Sequence, residues 1–147
     1  MTRGRVVVLA TALVALVATS AALAAGPGVS TRLSGHVQGD DDSIVRLSVV
    51  TNDDVVKTVK RFRFKKILAT CHGVAQRISI KTTGRFPVEQ DGTFKRAFGG
   101  GGFGIAKVEG TVSRDGSRVV GVFRANGIPI AGLGRCDVAP SGFAVHS

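Results

Sequence analysis

The 147-residue chain has no tryptophan and no tyrosine, and it contains only two cysteines and four prolines. Proteins that bind sugars on aromatic platforms rely mainly on tryptophan and tyrosine rings, so this composition counts against that class. Acidic residues are also few, because 10 Asp and Glu stand against 20 Lys and Arg. The formal net charge of +10 predisposes the protein towards acidic partners, or it serves only to keep the protein soluble.

The N-terminal segment has the pattern of a secretory signal peptide. Arg3 and Arg5 precede an apolar run over residues 6–18, and Ala22-Leu23-Ala24 supplies a small-residue cleavage site. The alternative is a retained membrane anchor, because residues 6–25 are just long enough to span a bilayer. The sequence predicts a leader at residues 1–24 and a single exported domain at residues 25–147, which carries 18 basic and 10 acidic residues.

The two cysteines, Cys71 and Cys136, predict one disulfide. Export places them in an oxidising compartment, where two cysteines in one small domain are expected to pair. A link between residues 65 apart stabilises a fold by about 4 kcal/mol through the entropy of the unfolded chain. A nucleophilic Cys71 beside His72 is disfavoured, because neighbours on a strand point to opposite faces.

The mature chain shows alternation of apolar and polar residues with period two, interrupted by turn residues. No capped helical pattern follows the leader. Two Asp-Gly pairs, at residues 91–92 and 115–116, predict hairpin loops. Strands are expected at residues 31–38, 45–49, 55–70, 75–82, 86–88, 93–98, 104–112, 118–125, 130–136 and 142–146. This pattern predicts an all-β fold, an antiparallel β-sandwich or a small β-barrel of about eight to ten strands.

The stretch KRFRFKK, residues 60–66, combines cations with phenylalanines. The strand period places Phe62, Phe64 and Leu68 on the core face, so these rings are not expected to stack on bases. The cations opposite them form either a solvated face, which also discourages edge aggregation, or a polyanion-binding site. The candidate polyanion-binding residues are Lys57, Lys60, Arg61, Arg63, Lys65 and Lys66.

The glycine run is the second candidate site. Gly99, Gly101 and Gly104 satisfy G-x-G-x-x-G, but the residues that follow predict a strand, whereas a phosphate-binding loop of this kind opens a helix. A flexible binding loop is the preferred interpretation, because loops on rigid scaffolds often bind ligands. Its members are Gly99, Gly100, Gly101, Gly102 and Phe103.

Neither a metal site nor a cofactor motif is predicted. His36, His72 and His146 are scattered along the chain, and the disulfide leaves no free cysteine. The run Asp40–Asp42 lacks the alternating ligand spacing of a calcium loop and predicts a solvated turn.

Several short motifs resemble a group of short, exported, uncharacterised two-cysteine β-proteins from bacteria. They are Gly35-His36-Val37-Gln38-Gly39, Cys71-His72-Gly73, Phe86-Pro87-Val88, Asp91-Gly92-Thr93-Phe94, Val108-Glu109-Gly110-Thr111-Val112, Gly121-Val122-Phe123, Gly134-Arg135-Cys136-Asp137 and Gly142-Phe143-Ala144. The resemblance implies an all-β fold with a disulfide and carries over no catalytic residue. Phe143 stands where members of the group tend to have tryptophan or tyrosine.

Three functions remain open at this point. The favoured one is a secreted, non-enzymatic domain with a binding or structural role at the cell exterior, in contact with an anionic polymer of the cell envelope through the basic strand. The second is a small-ligand carrier with an apolar cavity inside a closed sheet. The third is a hydrolase that uses loop residues such as His72, Asp137 and Ser141, which would require a base oriented by an acid.

Overall fold

The computed structural model describes residues 28–147, which form nine β-strands and one short 3-10 turn. The leader predicted at residues 1–24 lies outside the described residues. No helix in the described part of the chain has the length and apolar character to cross a membrane. The strands are β1 (Val29–Val37), β2 (Asp40–Asn52), β3 (Val55–Cys71), β4 (Val74–Lys81), β5 (Arg85–Pro87), β6 (Thr93–Gly99), β7 (Ile105–Val112), β8 (Arg118–Ile130) and β9 (Gly134–His146).

The strands form one antiparallel sheet in the order β4-β3-β2-β1-β9-β8-β7-β6, with β5 paired to β3. Two meanders, β1 to β4 and β6 to β9, meet where β1 pairs with β9. The end of β3 returns to β9, because Thr70 lies opposite Asp137 and Cys71 opposite Cys136. The all-β prediction is therefore confirmed, and the sheet is one continuous layer that curls back on itself rather than two separate stacked sheets.

Phenylalanine rings fill the centre of this curled sheet. Phe62 and Phe64 of β3 are fully buried, as the strand period predicts. The Phe62 ring centroid lies 4.8 Å from that of Phe86, and Phe64 lies 4.4 Å from Phe123. Phe143 contacts both β3 rings, at 6.0 and 5.7 Å. Aromatic pairs at these separations add to the stabilisation from burial of their apolar area.

Two bulges in β3 correct one detail of the predicted alternation. Arg61 and Lys66 adopt positive φ values of 58° and 55°, and the register of β3 against its neighbours shifts at both positions. Each bulge adds one residue, so the inward position after Lys66 falls to Ile67, which is 2% exposed. Leu68, which was predicted to lie in the core, is 55% exposed.

The bulges also explain how β3 accommodates two pairs of adjacent cations. In a regular strand, one member of Lys60-Arg61 and one member of Lys65-Lys66 would point into the core. A buried unpaired cation is costly, and an extra residue in the strand removes that conflict. The positive φ at Arg61 and Lys66 is unfavourable for residues with a Cβ atom, and the surrounding strand pairing holds it in place.

Two other strand predictions are corrected. The expected hairpin across Asp91-Gly92 is not a paired ladder, because β5 pairs with β3 and β6 with β7. The strand predicted at 130–136 instead spans the end of β8, a turn at residues 131–133 and the start of β9. The strand predicted at 142–146 is the second part of the same strand β9. Gly132 and Gly134 adopt positive φ at this turn, a conformation open to glycine without steric penalty.

The hairpin predicted at Asp115-Gly116 is confirmed between β7 and β8. The Asp115 carboxylate accepts hydrogen bonds from the Ser113 hydroxyl at 2.7 Å and from the Ser117 amide at 3.1 Å. These bonds favour the charged carboxylate and lower its pKa to about 2. The turn residues thus satisfy the backbone locally, as short polar side chains do in tight turns.

The predicted disulfide is present between Cys71 and Cys136, whose Cα atoms are 4.2 Å apart. The two residues face each other across the short β3–β9 ladder, and both are buried. The bridge therefore fixes the point at which the sheet returns to itself.

Reduction of this disulfide should lower the melting temperature by roughly 10 to 15 °C, since a closed loop of this length contributes about 4 kcal/mol. Thermal denaturation with and without a reductant measures the change. The unreduced protein should show no thiol that reacts with a thiol reagent under denaturing conditions. A titratable thiol, or equal melting temperatures, would contradict this assignment.

Candidate anion-binding groove

A groove of about 720 Å³ crosses the outer face of the sheet over β1, β2, β3 and the end of β4. We call it the basic groove, because five cationic side chains line it: Arg32, Arg46, Arg61, Arg63 and Lys81. Each of the four strands contributes at least one of these cations. Since all five are exposed, their charged groups are available to a ligand in solvent.

Strand register places three of these cations side by side. Arg46 of β2 lies opposite Arg63 of β3, and Arg63 lies opposite Lys81 of β4. Neighbouring strands are about 4.8 Å apart, so the backbone positions that carry these three cations follow each other across the sheet at about that interval. Like charges directly opposite each other destabilise a sheet. The fold thus tolerates a local repulsion here that a partner of negative charge would relieve.

Counter-charges are missing from the basic groove within the described residues. The ion pairs of the described residues join Arg77 to Asp40 at 2.8 Å and to Asp42 at 3.8 Å, and Lys95 to Glu109 at 4.0 Å, all outside the groove. The hydrogen bond from Arg77 lowers the pKa of the Asp40 carboxyl below its ordinary value. Asp40 and Asp42 of β2 are therefore engaged by Arg77, which does not line the groove.

Hydroxyl groups accompany the cations. Ser34, Ser48, Thr82 and Thr83 also line the basic groove, and Ser48 and Thr82 are buried. Thr82 lies one residue beyond the end of β4, and its backbone amide donates a 2.9 Å hydrogen bond to the Phe62 carbonyl. Thr82 is thus the cross-strand partner of Phe62, and its side chain lies on the core face. The arginines, Lys81 and the exposed hydroxyls of Ser34 and Thr83 form a lining that can bind oxygen atoms of an anion.

The structure brings only part of the predicted basic set into this groove. Arg61 and Arg63 line it, whereas Lys57, Lys60, Lys65 and Lys66 do not. Sequence reasoning missed the other three cations, Arg32, Arg46 and Lys81. The alternation of β1, β2 and β4 placed each of them on the polar face, so the signal was present, but their juxtaposition depends on strand order.

The glycine loop lies elsewhere in the fold. Residues Gly101–Phe103 form the 3-10 turn, and the strand β7 follows it, as predicted. Arg135 holds this loop through hydrogen bonds from its guanidinium to the carbonyls of Gly102 and Gly127. Phe103 is 72% exposed at the tip. None of the candidate loop residues, Gly99, Gly100, Gly101, Gly102 and Phe103, lines the basic groove.

Two of the three candidate hydrolase residues, Ser141 and Asp137, make other contacts. Ser141 donates a hydrogen bond to the Ala139 carbonyl at 2.8 Å, and Asp137 accepts one from the Gly127 amide at 2.6 Å. Neither contact includes His72. Among residues 28–147, no group of three or more His, Cys, Asp or Glu side chains is placed to hold a metal ion.

Comparison of this chain with known protein families, curated proteins and solved structures found no match. Functional inference therefore depends on the geometry and charge of the basic groove.

Neutralising the central cation of the row should stabilise the free protein. Arg63→Gln removes repulsion from both Arg46 and Lys81, and we expect the free energy of unfolding to rise by about 0.5 kcal/mol at low ionic strength. Urea denaturation at low and high salt measures this, and the gain should shrink at high salt. Arg114→Gln in the β7–β8 turn changes the net charge equally and serves as the control. A destabilised Arg63→Gln, or equal effects of both changes, would contradict the repulsion.

Proposed function

We propose that the protein is an exported, non-enzymatic binding domain whose basic groove binds an anionic polymer at the cell exterior. One observation carries the proposal: five cations from four strands converge on one groove, and no acidic side chain of the described residues pairs with any of them. A cleft lined by one sign of charge raises the local concentration of ions of opposite charge.

The arrangement of the cations supports a polymer rather than a single small anion. Arg46, Arg63 and Lys81 follow one another across three strands, so they can meet successive charges along a chain. Binding of a polyanion by several cations releases its condensed counterions, which makes such an interaction strong at low salt and weak at high salt.

The burial of the phenylalanines favours a ligand that is contacted through its charged groups rather than through aromatic bases. Phe62 and Phe64 alternate with the groove cations along β3, yet both rings are buried in the core. A base-stacking site needs aromatic rings exposed beside the cations. The same rings occupy the centre of the sheet, which favours a surface site over an internal carrier cavity.

Polymer binding should depend on the groove cations and on salt. The full chain, expressed with its own leader and purified, is titrated with inorganic polyphosphate and with polygalacturonate across a salt series. We expect binding to both, with affinity that falls steeply as salt increases. In the variant Arg46→Gln, Arg63→Gln, Lys81→Gln, the slope of log affinity against log salt should decrease by about two, as expected for the loss of three contacts.

The matched control is the variant Lys107→Gln, Arg114→Gln, Arg124→Gln, which loses the same net charge from β7, β8 and the turn between them. Its binding should stay close to that of the unchanged protein. Equal loss in both variants would show that net charge alone drives binding. Absence of binding by the unchanged protein would reject the proposal.

Export of the domain is tested separately. We expect cell fractionation to find the protein outside the cytoplasmic membrane, with its N-terminus at about Ala25, because Ala22-Leu23-Ala24 has the pattern of a cleavage site. N-terminal sequencing and intact mass measure this. A membrane-bound chain that retains the leader would instead favour an anchor.

A further inference from the structure

The row of cations in the basic groove continues across two further strands. Ser34 of β1, which lines the groove, lies opposite Arg46 on one side and opposite His146 of β9 on the other. His146 in turn lies opposite Arg118 of β8. The result is one cross-strand line over six neighbouring strands, β4-β3-β2-β1-β9-β8. We call it the polar track, and its members in order are Lys81, Arg63, Arg46, Ser34, His146 and Arg118.

Every member of the polar track lies on the outer face of the sheet. On each of the six strands, a residue next to the track position in sequence is buried: Thr82, Phe64, Val45, Leu33, Val145 and Val119. Successive side chains of a strand point to opposite faces, so the track side chains point away from the core. All six track residues are exposed, which leaves their polar groups open to a ligand.

The pairing of β1 with β9 makes the track continuous. Next to Ser34, Gly35 lies so close to β9 that a Cβ atom at this position would collide with the Ala144 carbonyl oxygen. Glycine is therefore the residue that permits this pairing. Five intervals of about 4.8 Å between neighbouring strands give the track a length of about 24 Å from Lys81 to Arg118.

The track offers donors to an anion along its whole length. Its four cations are interrupted only by Ser34 and His146, whose hydroxyl and imidazole groups can also donate hydrogen bonds. None of the ion pairs of the described residues includes a track member. The acid nearest to Arg118 in sequence is Asp115, and it accepts hydrogen bonds from two serine hydroxyls of the β7–β8 turn instead.

We propose, on the basis of the function proposed above, that the binding surface extends from the basic groove along the polar track to Arg118, and that its ligand is a flexible polyanion. Because the sheet curls until β3 meets β9, the outer faces of β4 and β8 point in different directions. Duplex DNA has a persistence length of about 500 Å, so it stays straight over a track of about 24 Å and contacts only part of it. A single-stranded chain of phosphates bends with the sheet and reaches both ends.

The test compares Arg118→Gln with Arg114→Gln in the full chain. Both changes remove one exposed positive charge, but Arg118 ends the track and Arg114 lies in the β7–β8 turn outside it. Each variant is titrated across a salt series with long-chain polyphosphate, with duplex DNA and with tripolyphosphate, which is too short to reach from the groove to Arg118. The backbone amide of Arg118 bonds to the Ser113 hydroxyl, and the substitution keeps that amide. Thermal denaturation of each free variant verifies that the fold is retained.

We expect Arg118→Gln to bind long-chain polyphosphate about fivefold more weakly at about 0.1 M salt, because one contact with a single-stranded polyanion is lost. The slope of log affinity against log salt should decrease by about 0.7 for the same reason. Arg114→Gln should stay within about twofold of the unchanged protein, since salt screens a charge that does not touch the ligand. The two variants should bind tripolyphosphate alike and duplex DNA alike, because neither ligand follows the track from the groove to Arg118.

Equal binding of long-chain polyphosphate by the two variants would overturn the extension to Arg118, and so would an equal loss by Arg118→Gln on tripolyphosphate. A loss on duplex DNA as large as that on polyphosphate would overturn the assignment of a flexible ligand. If the triple groove variant loses polyphosphate binding while Arg118→Gln does not, the ligand stays within the basic groove and only the extension is wrong. If the unchanged protein binds no polyanion, both proposals fail.

Discussion

Burial of Phe62 and Phe64 from β3 is the constraint on which the rest of the structure depends. β3 runs for 17 residues and pairs with β2, β4, β5 and β9, so its orientation sets that of most of the sheet. Its two inward rings contact Phe86, Phe123 and Phe143 from three other strands. With the rings fixed inside, the cations that alternate with them must lie outside, and the outer face of the sheet becomes basic.

The fold retains a local cost at the basic groove. Arg46, Arg63 and Lys81 lie opposite one another on neighbouring strands, where like charges repel. Sites that bind ligands often sacrifice stability in this way, because groups placed for a ligand are unsatisfied without it. The packed phenylalanines and the disulfide supply stabilisation elsewhere, which lets the sheet tolerate these groups.

Much of the fold follows from the sequence, because the alternation of buried and exposed residues along a strand depends only on neighbouring residues. The alternation along β3 identified Phe62 and Phe64 as core, and two cysteines in a chain with the pattern of a signal peptide predicted the disulfide. Strict alternation failed at Leu68, because it assumes a regular strand and Leu68 follows the bulge at Lys66. The doublets Lys60-Arg61 and Lys65-Lys66 were the signal for the bulges, because a regular strand would have buried one cation of each pair.

The groove was only half predictable, for a reason of topology. Arg61 and Arg63 belong to one strand, so sequence spacing brings them together. Arg32, Arg46 and Lys81 join them through strand order and register, which a local pattern does not encode. The β1–β4 meander is what converts four separate polar faces into one row of charge. A basic strand alone is a solvated face, whereas the same strand flanked by cations on both sides, with no acid between them, concentrates positive charge that a negatively charged partner would neutralise.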